Sequence, residues 1–239
     1  MIKKTARYFI ELILRQFNYK LEPCNFYSWP HEDKYFKKIF EKQMKFGWND
    51  DGPKVHRMYQ TYQLSQLTHK LDGEWAEVGV FKGATAFLLA SLIKDLGLSK
   101  KKNIYLFDSF KGLSKPNKLD NNIFFSQGDY FCSEQQVRNN LKKFNFIKYK
   151  NNWIPYCFEN CEQLKFSLVH IDVDLHDPTV KALEFFGPRI VKNGIIIFDD
   201  YGLYNAKGTK LAIDKFYNKN KDFFIHWRLP YGQSALIKR

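Results

Sequence analysis

The residues best suited to chemistry are acids, and they recur at one kind of place. Glu77, Asp108, Asp172, Asp199 and Asp200 stand where apolar runs give way to turns. The first lies in Gly73-Glu74-Trp75-Ala76-Glu77-Val78-Gly79-Val80-Phe81-Lys82-Gly83-Ala84-Thr85, which reads as a buried strand, a tight turn and the start of a helix. Its signature is Glu-x-Gly-x-x-x-Gly, not the Gly-x-Gly-x-x-Gly that cradles a pyrophosphate. An acid in place of the first glycine disfavours a phosphate. It favours a ligand with an ammonium group and no phosphate, as S-adenosylmethionine is. A generic strand–turn–helix accounts for the same stretch. Gly79 allows a sharp turn with no Cβ to block a ligand, and Gly83 lets the helix start close to the strand.

Asp108 stands 29 residues after Gly79. A carboxylate there can accept both hydroxyls of a ribose. NAD and S-adenosylmethionine share that contact, so Asp108 points to adenosine and does not choose between them. A lone strand-end acid also serves as a helix cap or turn former, and that use covers Asp177 and Asp174. Asp172, Asp199 and Asp200 meet at one point if their two strands are neighbours. Three such carboxylates raise one another's pKa unless a cation neutralises them. Oxygen-only ligands suit Mg²⁺ or Ca²⁺ better than zinc. His170, inside an apolar strand, reads as a core histidine. His176, four residues beyond Asp172, is the candidate for substrate contact.

The elements that must position these acids alternate regularly. A first strand is expected through Trp75, Ala76, Val78 and Val80, and others at 103–107, 146–149, 166–171 and 195–198, the last introduced by a turn at Lys192-Asn193-Gly194. Helices are expected at 34–44, 55–70, 84–90, 179–186 and 207–217, and one starts after Ser133 as N-cap. Met58, Tyr62, Leu64 and Leu67 are the candidate buried positions of the second of these. Lys115–Phe131 is polar and reads as a mobile loop. Residues 223–227 and 234–237 close the chain as a hairpin. Strands alternating with helices imply an α/β fold with a mostly parallel sheet covered on both faces.

The chain has 239 residues, 44% of them hydrophobic and 18% aromatic, enough for one α/β domain. Residues 1–239 read as that single domain, with 1–54 as an N-terminal helical and irregular elaboration. The formal charge of +13 admits nucleic acid, an anionic membrane surface or a lysine-rich composition. The scattered lysines favour the last. Cys24, Cys132, Cys157 and Cys161 form no Cys-x-x-Cys pair and read as free thiols in a reducing, cytoplasmic setting. No run is long enough to span a bilayer, and no secretory signal is evident. Met1–Tyr19 is a basic amphipathic segment. It suits a helix packed on the domain or on a second subunit, or one lying on a membrane surface.

Four motifs together carry a resemblance. They are Ala76-Glu77-Val78-Gly79-Val80-Phe81-Lys82-Gly83, Phe107-Asp108-Ser109-Phe110-Lys111-Gly112-Leu113, His170-Ile171-Asp172-Val173-Asp174-Leu175 and Ile197-Phe198-Asp199-Asp200-Tyr201-Gly202. In combination they resemble the macrocin-type (TylF-like) sugar O-methyltransferases, which are metal-dependent class I methyltransferases with a Rossmann-like fold. The resemblance runs from about Val55 to Tyr217. It implies that Glu77 and Gly79 hold the methionine end of S-adenosylmethionine and Asp108 its ribose. Val80, Gly83, Thr85, Ser109 and Asn152 complete the implied donor site. It also implies Mg²⁺ on Asp172, Asp199 and Asp200, with Asp172 as the base, and places Tyr201 with His176 toward the substrate. The family usually has tyrosine at His176 and acid-Ser-Thr at Asp177-Pro178-Thr179. Asn152 stands where a glycine is usual beside the adenine, and asparagine tolerates the positive φ such a turn needs.

The expectation is Mg²⁺-assisted methyl transfer to a hydroxyl, on a sugar of a glycan, nucleotide sugar or glycosylated natural product. The acceptor is a small molecule or a glycan. A nucleic-acid-binding or nucleic-acid-modifying methyltransferase is the first rival, set against by acids at the site mouth. A non-catalytic nucleoside-binding module is the second. A nicotinamide oxidoreductase is disfavoured by Glu77. Peripheral membrane contact through the N-terminal segment and homo-oligomerisation stay open.

Overall fold

The computed structural model describes residues 9–10, 12–14, 16, 29–46, 53–120 and 124–239. One seven-stranded sheet organises them, in the order β3-β2-β1-β4-β5-β7-β6. The strands are β1 (Glu74–Val78), β2 (Ile104–Asp108), β3 (Ile147–Asn151), β4 (Phe166–Ile171), β5 (Ile190–Phe198), β6 (Phe224–Arg228) and β7 (Ser234–Lys238). The first five run parallel, and β7 pairs antiparallel with both β5 and β6. The helices are α1 (Trp29–Glu32), α2 (Lys34–Met44), α3 (Pro53–Thr68), α4 (Ala84–Asp95), α5 (Glu134–Leu141), α6 (His176–Phe186) and α7 (Lys207–Asn220). This is the class I methyltransferase fold with its terminal antiparallel hairpin, as expected.

Strand alternation builds two cores. Trp75, Leu106, Leu168, Ile195 and Ile197 face one side and pack with Phe36, Met58, Leu88 and Leu141 from α2 to α5. Ala76, Phe107, Val169, Ile196 and Phe198 face the other and pack with Ala182, Leu183, Phe186 and Ile213 from α6 and α7. β4 is buried at all six positions, which is why it reads as a mostly apolar run broken only by Ser167 and His170.

The helix starts follow local chemistry. The Asp33 carboxylate accepts the Phe36 N–H at 2.9 Å, and the Ser133 hydroxyl accepts that of Gln136 at 3.3 Å. α3 begins two residues before the expected Val55, and its Met58, Tyr62 and Leu64 are buried, whereas Leu67 is exposed. Leu67 falls on the solvent side of the helix whose buried face runs through Arg57, Thr61, Leu64 and Thr68. The expected turn at Lys192-Asn193-Gly194 lies inside β5. Phe166 pairs with Ile190 and Leu168 with Ile195, so two steps along β4 face five along β5. The surplus forms a bulge with Asn193 at φ 63°.

Cys132, Cys157 and Cys161 are buried free thiols; Cys24 lies outside the described residues. So does most of Met1–Tyr19. The described residues 9–10, 12–14 and 16 are helical, and Phe9, Ile10, Leu12 and Ile13 are exposed. No helix among the described residues is long and apolar enough to cross a membrane.

Sheet register aligns the carboxyl ends. Val78 pairs with Phe107 on one side and Ile171 on the other, and Ile171 pairs with Phe198. Backbone bonds continue the ladders past the strands: Gly79 N–H donates to Phe107 O at 3.0 Å, Asp172 N–H to Val78 O at 2.8 Å and Asp199 N–H to Ile171 O at 3.0 Å. Gly79, at φ +82°, is needed for this closure. A Cβ there would stand 1.8 Å from the Asp172 carbonyl oxygen. The clash is with the neighbouring strand end, not with a ligand. Gly79→Ala should therefore displace Asp172 and cost about 2 kcal/mol or more of stability. Chemical denaturation checks this, and a loss below about 0.5 kcal/mol would contradict it.

Candidate active site

The order of the sheet reverses between β1 and β4, and there the carboxyl ends open into a crevice. A cavity of about 490 Å³ occupies it. Glu77, Gly79, Val80 and Thr85 line it from the β1 turn, and Asp108 and Ser109 from the end of β2. Asp172, Asp174, Asp199 and Asp200 line it from β4 and β5. Gly83, at φ +83°, precedes α4 and packs against Val137 and Leu141, within 3.3 Å of where its Cβ would be.

Each acid has a distinct environment. Glu77 is 2% exposed, and its Oε2 has no hydrogen-bond partner. Burial, then the charges of Asp172, Asp108 and Asp199, pushes its carboxyl well up, with the Ala86 N–H opposing. Asp108 braces the β1 turn. Its Oδ2 accepts the Val80 N–H and its Oδ1 the Phe110 N–H, both at 2.6 Å. Burial raises its pKa, and these backbone donors hold it down. The Phe81 and Ser109 N–H groups also face this carboxylate.

Asp172, Asp174 and Asp200 each offer one carboxylate oxygen, and those atoms lie within 4.8 Å of one another. Burial and mutual repulsion push all three upward. For Asp172 the repelling charge is Asp199, with Lys54, His170 and Arg57 opposing. Asp174 is pushed up to about 8 by burial and then by Asp172 and Asp199. For Asp200 the repelling charges are Asp174, Asp172 and Asp199, and its Oδ2 has no hydrogen-bond partner. An oxygen-only set with two unsatisfied oxygens nearby suits a hard divalent cation.

The gathered triad differs from the expected one. Asp199 is engaged elsewhere: the Arg57 Nη1 donates to its Oδ2 at 2.6 Å and Gln233 Nε2 to its Oδ1 at 2.7 Å. His170 Nε2 lies 3.6 Å from Oδ1. Burial would raise the Asp199 pKa, but Arg57 and then His170 outweigh it and hold the carboxyl below its usual range. Asp174, read from sequence as a turn former, takes its place, in a left-handed conformation at φ 57°.

Three further expectations meet a different geometry. Tyr201 is 5% exposed in the second core, with its hydroxyl donating to Asp214 at 2.8 Å, so it faces away from the cavity. His176 opens α6, its Nδ1 paired with Asp177 at 2.7 Å and its N–H donating to Asp120 at 2.7 Å. The cavity is lined instead by Asp177, Pro178 and Lys181 of that helix. Asn152 is exposed, its φ is not positive, and its side chain accepts the N–H of Trp153 at 2.8 Å. Trp153, Ile154 and Pro155 supply the wall.

Sequence reasoning missed Arg57, Lys54 and Tyr130, which also line the cavity. Arg57 carried a signal, as a charged residue on the buried stripe of a helix. Tyr130, in the expected loop, has its hydroxyl pushed up to about 12 by burial and then by Asp174, Asp200 and Asp172. That loop is tied at its ends, with Leu113 N–H donating to Asp129 O at 2.8 Å and Gly128 N–H to Leu113 O at 2.9 Å. Residues 121–123 lie outside the described ones.

A model of the macrocin O-methyltransferase (TylF) family matches residues 54–223. The chain belongs to this family. Among curated proteins, it is similar to a Streptomyces olivaceus enzyme named 8-demethyl-8-(2,3-dimethoxy-alpha-L-rhamnosyl)-tetracenomycin-C 4'-O-methyltransferase. The two are 23% identical over 172 residues, 64% of this chain and 66% of that one. Demethyldecarbamoylnovobiocin O-methyltransferase of Streptomyces niveus is 20% identical over 160 residues, 63% and 60% of the two chains. The matched part thus spans less than two thirds of either relative's length. Among solved structures, the O-methyltransferase NovP superposes with a TM-score of 0.69 at 17% identity, covering 77% of this chain and 80% of that one. The calicheamicin methyltransferase CalS11 gives 0.65 at 18% identity, covering 86% and 93%. These likenesses establish the fold.

In this member of the macrocin O-methyltransferase family, the Arg57–Asp199 pair has a measurable role. Arg57→Met strands a buried carboxylate and should cost about 3–5 kcal/mol. The double change Arg57→Met, Asp199→Asn should cost clearly less than the sum of the two single changes, and strict additivity in a denaturation cycle would contradict the coupling.

The acid triad sets a pH dependence. Asp174 binds its proton up to about pH 8 when folded, against 3.8 ordinarily, so the folded chain holds protons that the unfolded chain has released. That contribution is complete below the ordinary value and is lost as pH rises through the folded one. Asp199 acts with the opposite sign, in acid. Without metal, the melting temperature should fall as pH rises toward about 8, and added Mg²⁺ should offset the fall. A flat profile unaffected by Mg²⁺ would contradict this.

Proposed function

We propose that the protein transfers a methyl group from S-adenosylmethionine to a sugar hydroxyl, with a divalent cation, Mg²⁺ or similar, at Asp172, Asp174 and Asp200. One observation carries this reading: the oxygen-ligand triad and the Glu77–Gly79 turn open onto the same cavity. Glu77, with an unpartnered buried oxygen, suits the ammonium of the donor's methionine end. Asp108 stands at the end of β2, on the side of the cavity where the ribose would lie, and Ile154 and Pro155 offer an apolar wall to the adenine. The relatives support a sugar acceptor, since one is named for a rhamnosyl substrate and a CalS11 structure is titled a TDP-rhamnose 3'-O-methyltransferase. A polymeric glycan or a glycosylated small molecule would serve equally, in a cytoplasmic setting that suits the free thiols.

The chemistry is a single displacement. The acceptor oxygen forms a bond to the methyl carbon as the carbon–sulfur bond breaks, and neutral S-adenosylhomocysteine leaves. The hydroxyl proton passes to the Asp172 carboxylate. A bound divalent cation would lower the pKa of the hydroxyl it touches. The raised pKa of Asp172 brings its basicity closer to neutral pH, where a general base is most effective. An acidic floor disfavours a phosphodiester backbone, which sets the nucleic-acid reading aside.

Labelled donor, Mg²⁺ and a panel of nucleotide sugars and glycosides test the proposal. Asp172→Asn should lower turnover by about 10²–10⁴-fold while S-adenosylhomocysteine affinity changes little. Excess Mg²⁺ should not rescue it. Near-normal turnover in that variant would remove the base, and full activity after exhaustive EDTA treatment would remove the metal.

A further inference from the structure

We infer that a second, anion-binding groove lies on the α2–α4 face, suited to a phosphate-bearing ligand. The groove has a volume of about 220 Å³ between α2, α4 and the segment after α5. Lys38 and Lys42 enter it from α2, Lys94 from α4 and Lys143 from beyond α5. Among the described residues, none of these four has a carboxylate partner in an ion pair. The single acid in the wall, Asp95, is already engaged by the Tyr35 hydroxyl at 2.8 Å.

A second observation points to a ligand. Ser91 lines the groove, is 5% exposed, and its buried hydroxyl has no hydrogen-bond partner. A helical serine ordinarily bonds back to its own helix or to solvent, so this hydroxyl is a donor left over in a cationic recess. Lys143 holds its ammonium over the Phe87 and Phe144 rings, at 3.9 and 4.6 Å from their centroids. Its pKa is lowered by burial and then by Lys42 and Lys94, with Asp95 opposing. Lysines at helix C-termini complement the helix dipole, which accounts for Lys42 and Lys94. It does not account for Lys38 in mid-helix or for the stranded hydroxyl.

α2 is anchored by the buried side chains of Phe36, Ile39 and Gln43, and Ile39 also lines the groove. Lysine ammonium groups bind phosphates as point charges. The groove is separate from the donor cavity: at 1.5 Å per residue, Lys94 lies roughly 15 Å along α4 from its first residue at the active site. A phosphate ester of a soluble metabolite and the headgroup of an anionic lipid present the same chemistry to it.

Calorimetry of the full chain at low salt distinguishes them, with pyrophosphate as one probe. Vesicles of phosphatidylcholine doped with phosphatidylglycerol are the other. Saturable pyrophosphate binding, weakened about tenfold or more in Lys38→Gln/Lys42→Gln/Lys94→Gln and several-fold in Ser91→Ala, supports a soluble phosphate. Vesicle binding lost in the same variants supports a headgroup. S-adenosylhomocysteine affinity should be unchanged in both variants. No saturable binding of either probe, or binding that the triple variant retains in full, would overturn the inference.

Discussion

Arg57 and Asp199 form a buried ion pair at 2.6 Å, and the division of labour among the acids depends on it. Asp199 and Asp200 are adjacent, and both are buried. Isolated carboxylates in that position would be neutral or would repel one another apart. The guanidinium settles which is which. It takes Asp199 into a network with Gln233, whose Nε2 also donates to Thr61 at 3.2 Å. That network ties α3, β5 and the start of β7 together. Asp200, 3.8 Å from the same guanidinium, is left turned toward Asp172 and Asp174.

The pair also explains why a site so rich in acid can exist in a folded chain. The Arg57 charge opposes the upward push on Asp172, Asp174 and Asp200. Lys54 also opposes it at Asp172 and Asp174, yet the carboxyls of Asp172, Asp174 and Asp200 are still pushed upward. Acids thus outweigh cations in the crevice, which is the chemistry the proposed divalent cation would complement. The β1 turn is coupled to this arrangement through Gly79, whose missing Cβ lets the Asp172 carbonyl close against it.

The fold was legible because the central strands are buried on both faces and read as apolar runs ending in acids. Boundaries were less so. The Lys192-Asn193-Gly194 segment carries turn chemistry, and its turn is a bulge within β5, which only pairing with β4 determines. Among the acids, the positions at the strand ends were legible and their orientation was not. Yet one signal was present. Successive residues of a strand point to opposite faces, which separates Asp199 from Asp200. Asp199 continues the face of Ile195 and Ile197, which α3 covers, and Arg57 waits there. Alternation does not foretell the company of Asp172 and Asp174, which lie past the end of β4, Asp174 at a left-handed φ of 57°. Tyr201 was misplaced for a different reason: an aromatic after two acids looks exposed until Asp214 supplies a buried acceptor for its hydroxyl.

In the proposed cation site, Asp174 rather than Asp199 is the third ligand. Equilibrium binding of Mn²⁺, read by electron paramagnetic resonance on variants shown to be folded by circular dichroism, tests it most directly. Asp174→Asn should lose most Mn²⁺ affinity while keeping its fold. Asp199→Asn should keep Mn²⁺ binding and lose stability instead. Unchanged Mn²⁺ affinity in Asp174→Asn, together with its loss in a folded Asp199→Asn protein, would contradict the account.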